Sequence, residues 1–127
     1  MELQPVKTES APIPRGPYNQ AVRVGDTIYV AGQMPLDPAT NQLVDGDAAT
    51  QARRVFENIK AIVEAAGSSM DRVVKTTIFL TDVADFAAVN AVYAEFFTGT
   101  LPARSTVGVA ALPGGTAKLQ VDAIAIA

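Results

Sequence analysis

Any chemistry in this chain has to be built without an imidazole or a thiol. It contains no His and no Cys, which excludes Ser-His-Asp and Cys-His arrangements and the ordinary zinc sites. Carboxylates, Arg, Lys, Tyr, hydroxyls, amides and backbone groups remain. Among these, Arg104 follows Pro102-Ala103 in a turn-like setting. A guanidinium there either grips a carboxylate through two parallel hydrogen bonds or stands exposed, loosely paired with an acid. Tyr18, in a proline-rich stretch, either sets its ring and phenol against a ligand or anchors its own loop, both common uses of an amphipathic ring. Gly32 suits close approach of backbone groups to a ligand and equally suits a strand-end bulge. Asn90 falls on the apolar side of a helical segment, where an amide needs partners; it lines a cleft or is a satisfied structural amide. Pro113-Gly114-Gly115 lacks the Lys and the helix start of a phosphate loop, and reads as a hairpin turn.

The elements that must position these residues follow from periodicity. After Asp47, a candidate N-cap, Ala52, Val55, Ile59, Ile62, Val63 and Ala66 form one apolar stripe, and Gly67 supplies a left-handed stop. Arg53, Glu57, Lys60 and Glu64 lie on the other side at spacings of three and four, which favour weak ion pairs. A second helix is expected from about Asp85 through Phe86, Val89, Asn90, Tyr93, Phe96 and Phe97 to Gly99. Strands are expected near 20–25 and over 27–31, 73–80, 105–110 and 117–126. Gly25-Asp26 would turn between the first two, and Pro113-Gly114-Gly115 between the last two. The prolines fall in connections, with Pro35 and Pro38 bounding a loop.

The order β-β-α-β-α-β-β, with a further short strand at the N-terminus, implies an α+β fold: a mixed sheet with two helices on one face. Both alternating sets of 73–80 carry apolar or β-branched residues, and so does the second half of 119–126. Two helices cover one face only, so the other needs a cover that this chain has no residues to supply. A homo-oligomer is the simplest answer.

Composition narrows the partners. At 127 residues the chain is expected to form one domain over 1–127, burying roughly 70 % of its surface. Nearly half the residues are apolar, at 49 %, which separates it from disordered chains. The net charge of −3 and scattered Lys and Arg argue against a nucleic-acid partner, which would need a basic stripe. No apolar run approaches the ~20 residues that span a bilayer. The start lacks a signal-peptide pattern, and the lack of cysteine fits a reducing compartment. A cytoplasmic location is expected.

Five motifs in order then carry a family resemblance over almost the whole chain. Leu101-Pro102-Ala103-Arg104-Ser105-Thr106-Val107 resembles the P-A-R-S signature of the RidA/YjgF family. Gly16-Pro17-Tyr18-Asn19-Gln20-Ala21 resembles its G-P-Y-x-Q motif, and Ala31-Gly32-Gln33-Met34-Pro35 its S-G-Q-x-P loop. Asn58–Gly67 is similar to the end of its first helix. Lys75–Leu80 followed by Asp85-Phe86 and Val89-Asn90 is similar to its central part.

The resemblance implies a chorismate-mutase-like fold and a homotrimer with a ligand cleft at each subunit interface. It implies hydrolysis of reactive 2-imino acids, formed from enamines released by pyridoxal-phosphate dehydratases, to 2-oxo acids and ammonia. No metal and no organic cofactor are implied. Arg104 would clamp the ligand carboxylate and so fix the adjacent C2 for attack by water. Tyr18 would wall the pocket, Asn90 would line it, and backbone groups of Gly32 and Thr106 would complete it. Ala31 stands where the family usually has Ser, and Thr106 where many members have Cys. Gln120 replaces the usual Glu; an amide orients water but cannot take its proton, and losing a general base typically costs about 10²–10⁴-fold. Asp122, about 7 Å along the same strand face, either supplies the missing carboxylate or is a solvated strand-end charge. Two other functions stay open: a non-catalytic binder of small 2-oxo acids acting as a regulatory or interaction protein, and an endoribonuclease, a label some relatives carry.

Overall fold

Period-two and period-3.6 stretches alternate as the sequence implies, and the computed structural model describes residues 1–127. The strands are β1 (Leu3–Val6), β2 (Ala21–Val24), β3 (Thr27–Gln33), β4 (Leu36–Asp37), β5 (Gln42–Leu43), β6 (Val73–Leu80), β7 (Ala103–Gly108) and β8 (Leu119–Ile126). The helices are α1 (Ala48–Ala65) and α2 (Phe86–Phe96), each β6 flank carrying a short 3₁₀ turn. Asp47 starts α1: its carboxylate accepts the Thr50 amide at 2.9 Å and the Thr50 hydroxyl at 2.8 Å, satisfying a donor that a helix start leaves free. Gly67, at φ 89°, ends it. Arg23 of β2 donates to the Ala66 carbonyl at 2.8 Å, placing a cation at the negative end of the helix.

Six strands form one sheet in the order β1-β2-β3-β8-β6-β7. Every neighbouring pair is antiparallel except β6 and β7. A parallel pair needs a crossover, and α2 is that crossover. The hairpin expected at Pro113-Gly114-Gly115 is therefore not formed. β7 and β8 are not partners; β6 lies between them, and the segment after β7 bridges over to β8. Its two glycines serve the turn all the same, with φ of 89° and 96°. The loop bounded by Pro35 and Pro38 contains a small separate hairpin, β4 with β5. Its short strands lie below the length at which alternation is readable.

Both helices lie on one face of the sheet. Val55, Phe56, Ile59, Ile62 and Val63 of α1 are fully buried against Ile28, Ile78, Leu119, Val121 and Ala125 in one core of 25 residues. Phe56 holds the two helices together, edge-on to Tyr93 at 5.4 Å and to Phe97 at 6.0 Å. Arg53 reaches across to Glu95 of α2 at 2.8 Å rather than pairing along its own helix, while Arg54 pairs with Glu57 at 3.3 Å. β8 alternates sharply: Leu119, Val121, Ala123 and Ala125 are buried under the helices, whereas Gln120, Asp122, Ile124 and Ile126 stay half-exposed on the opposite face. That face also shows Tyr29 and Val107, 51 % and 43 % exposed.

Candidate functional site

Arg104 and Thr106 stand on β7, the last strand of the sheet, whose outer edge has no strand partner. In the parallel register Arg104 pairs with Thr76 and Thr106 with Ile78. Thr76 and Ile78 point under the helices, so Arg104 and Thr106 point to the helix side as well. There the Arg104 guanidinium lies over two rings of α2, 4.7 Å from the Tyr93 centroid and 5.5 Å from that of Phe86. Both distances are within range of a cation–π attraction. Arg104 is half-buried, and the ion pairs of this chain, Arg23–Asp26, Arg53–Glu95 and Arg54–Glu57, do not include it. The loosely paired surface arginine that the sequence also allowed is not what the structure has.

Asn90 joins the same cluster by helical spacing, four residues after Phe86 and three before Tyr93. Its Oδ1 is buried and receives no hydrogen bond, so the satisfied structural amide is not what stands there either. Beneath, the Tyr93 phenol meets the Thr76 hydroxyl at 2.8 Å. Burial pushes the Tyr93 phenol's pKa up, against the Thr76 hydrogen bond and the Arg104 charge, which pull it down.

Ala31, Gly32 and Gln120 gather at a second place. β3 carries one extra residue against β8, since Val30 pairs with Ala123 and Gln33 with Val121. Ala31 and Gly32 form the bulge that this count requires. A Cβ on Gly32 would stand 2.2 Å from Gln120 Nε2 and 2.8 Å from its Cδ. Gly32 thus sits in a bulge, as one of its two readings had it, and its lack of a Cβ leaves room for the Gln120 side chain. The Ala31 amide donates to the Gln20 carbonyl at 2.9 Å, tying the bulge to the loop that carries Tyr18. The Tyr18 hydroxyl accepts the Arg15 amide at 3.2 Å, and the ring is 52 % exposed. Tyr18 therefore anchors its loop and still presents a face outward. Asp122 lies on the Gln120 side of β8, with Thr77 and Ser105 as its neighbours across the sheet.

These two clusters do not meet within one chain. Gln120 pairs with Phe79 and Arg104 with Thr76; three residues apart on β6, the two partners face opposite sides of the sheet. A concavity of about 580 Å³ is lined by Tyr18, Gly16, Asn19 and Gln20 among others and excludes Arg104. No group of acidic side chains is placed to hold a metal ion, and no helix is long and apolar enough to cross a membrane. Sequence reasoning passed over three residues of these clusters. Phe86 and Tyr93 were visible only as members of an apolar stripe, and the 86-90-93 spacing was the signal that they flank Asn90. Gln20, buried, accepts from the Thr8 amide at 2.7 Å and donates to the Ala11 and Pro12 carbonyls at 3.2 and 2.9 Å. It folds the Tyr18 loop onto the sheet.

Comparison with known proteins agrees with this architecture. The family model described as Endoribonuclease L-PSP matches residues 8–127. Protein DfrA of Myxococcus xanthus is 51 % identical, over 99 % of this chain and 97 % of its own. The 2-iminobutanoate/2-iminopropanoate deaminase of Mus musculus is 46 % identical, over 95 % of this chain and 89 % of its own. The crystal structure of RidA from the Antarctic bacterium Psychrobacter sp. PAMC 21119 superposes with a TM-score of 0.94 at 46 % identity, over 98 % of this chain and 99 % of that one. With sheet order, motifs and overall length in common, the chain belongs to the RidA/YjgF family.

Proposed function

We propose that this protein hydrolyses 2-imino acids to 2-oxo acids and ammonia, in clefts formed between copies of the chain in a homotrimer. The observation that carries the reading is Arg104: a half-buried guanidinium, supported on two rings of α2 and engaged in no ion pair, while the same helix holds the Asn90 amide oxygen without a donor. Such a group is set up to take a carboxylate from outside the chain by two parallel hydrogen bonds. The imine offers that carboxylate next to its reacting carbon, so gripping it fixes C2 for attack. Water adds to C2, a proton passes to nitrogen, and the C–N bond breaks to release ammonia.

The second cluster supports the oligomer. Gln120, with Gly32 against it, lies on the side of the sheet that Arg104 does not face, so a neighbouring chain has to bring them to it. The exposed apolar residues of that side favour burial against another copy. Gln120 then holds the attacking water without accepting its proton, and the reaction runs on orientation and electrostatics in a slowed version. The deaminase name of the mouse relative supports the chemistry. The test supplies imine from a coupled threonine dehydratase and follows 2-oxobutanoate and ammonia. No acceleration by this protein, or equal acceleration by Arg104→Ala, would end the reading.

One observation favours a second reading. Gln120 and Ala31 remove the polar groups that the resemblance would place near the reacting centre, and a binder of small 2-oxo acids needs only the Arg104 grip. Tight binding of 2-oxobutanoate without turnover, and turnover gained on Gln120→Glu, would select it.

A further inference from the structure

An arginine that meets a carboxylate edge-on needs its plane set before the ligand arrives, because its stem is flexible and its donor fork rigid. An acidic neighbour would set the plane but would occupy the very N–H groups the ligand needs. An aromatic face attracts the cation while leaving its donor edge free. Arg104 has this second kind of support, with its guanidinium carbon 4.7 Å from the Tyr93 centroid.

The Tyr93 ring is itself packed on several sides. Phe56 meets it edge-on at 5.4 Å, Phe97 lies against it at 4.3 Å, and its phenol bonds the Thr76 hydroxyl at 2.8 Å. Thr76 is fully buried, and it is the residue paired in register with Arg104 across β6 and β7. The contacts therefore close a ring. The strand pairing places the Arg104 backbone beside Thr76, the Thr76 side chain holds the phenol, and the face of that phenol holds the guanidinium. Where the phenol is the donor to Thr76, its oxygen gains electron density and the ring face attracts a cation more strongly.

We propose that Tyr93, held by Thr76, is the positioning residue that presents the donor edge of Arg104 to a ligand carboxylate. The proposal rests on the reading of Arg104 as the carboxylate grip. Tyr93 touches no ligand and acts only through Arg104. Burial keeps the phenol neutral and its hydrogen bond to Thr76 intact, its pKa being raised.

The test compares Tyr93→Leu, Tyr93→Phe and Thr76→Val with Arg104→Ala in the full chain. Three quantities are read: KM and kcat for imine from the coupled dehydratase, Kd for 2-oxobutanoate by calorimetry, and the Arg104 Nε–H NMR resonance. That resonance is assigned by its loss in Arg104→Ala, and the ring beneath it shifts it upfield. Tyr93→Leu is expected to raise KM and Kd together by about tenfold, to leave kcat within about twofold, and to abolish the upfield shift. Tyr93→Phe keeps the shift and most of the affinity. Thr76→Val retains the ring but frees it, so the resonance moves towards its unshifted position and Kd rises by less than in Tyr93→Leu.

A Tyr93→Leu protein with unchanged Kd and KM and a reduced kcat overturns the proposal, since a merely structural residue lowers the active fraction without touching affinity. Should Tyr93→Leu fail to fold, an Arg104 resonance and Kd unchanged in Thr76→Val overturn it instead. If Arg104→Ala abolishes binding while Tyr93→Leu leaves it intact, positioning fails and the grip stands. If Arg104→Ala itself leaves binding unchanged, both fail.

Discussion

Gln120 is the residue on which the proposed hydrolysis turns, because an amide orients water without taking its proton. Its amide lies across Gly32 with no space for a β-carbon between them, so its place is set by backbone as much as by its own rotamer. Restoring a carboxylate there keeps the shape and adds a proton acceptor. Gln120→Glu is expected to raise kcat by about 10²-fold, the low end of what a general base contributes. It should also create an acidic limb in the pH–rate profile, with activity lost as the new carboxylate is protonated. The wild type, with an amide there, should lack that limb. Stopped-flow rates between pH 4 and 8 for both proteins would show it, and identical profiles would remove Gln120 from the reaction. Gly32→Ala tests the same point from the other side. The methyl group displaces the Gln120 amide, and kcat should fall while thermal stability changes little, because the atom that must move is the end of a flexible side chain.

At the scale of elements, stability depends on caps and clasps that join α1 and α2 to the sheet. Asp47 has its pKa lowered by the Thr50 backbone and hydroxyl hydrogen bonds, and Glu95 has its pKa lowered by Arg53. A carboxylate whose pKa is depressed in the folded chain stabilises it above the unfolded value and loses that stabilisation as the pH falls through the folded one. Urea midpoints should therefore be flat above the ordinary values of 4.5 and 3.8 and decline below them. Asp47→Asn with Glu95→Gln should flatten that decline; an unchanged slope would assign it to other groups. Deeper in, Phe56→Ala removes the ring shared by Tyr93, Phe96 and Phe97 and should cost about 3–5 kcal/mol, measured by equilibrium unfolding. The elements themselves were largely legible in the sequence, because Asp47, Gly67 and the two apolar stripes are local signals. What was not legible is pairing between elements. Nothing local to Pro113-Gly114-Gly115 tells that β6 intervenes between the strands on either side. Arg53 has a good partner spacing within α1 and a better acceptor on α2. Likewise Arg104, Tyr18 and Gly32 were visible through motifs, whereas Tyr93 and Thr76 read as core until the register of β6 and β7 set them beside Arg104.

For the whole molecule, the decisive fact is that Arg104 and Gln120 occupy opposite faces of one sheet. A site that needs both must take them from two chains, and in a closed ring of identical subunits each interface then joins the Arg104 side of one copy to the Gln120 side of the next. This geometry predicts complementation. In the proposed trimer, Arg104→Ala would destroy the first half of every site, and Gly32→Leu, which fills the space under Gln120, would destroy the second half. Each protein alone should be inactive. When the two are unfolded together in equal amounts and refolded, a trimer containing both types has one interface at which an intact Arg104 half meets an intact Gln120 half. Random assortment makes about three quarters of the trimers mixed, each with one good site of three, so about a quarter of the wild-type activity should return. Simply mixing the folded proteins should return it only at the rate of subunit exchange. If Arg104 and Gln120 acted from the same chain, no mixture could contain a good site, and refolding together would recover nothing. Recovery therefore measures whether the open face of the sheet is the seam across which neighbouring chains share one ligand.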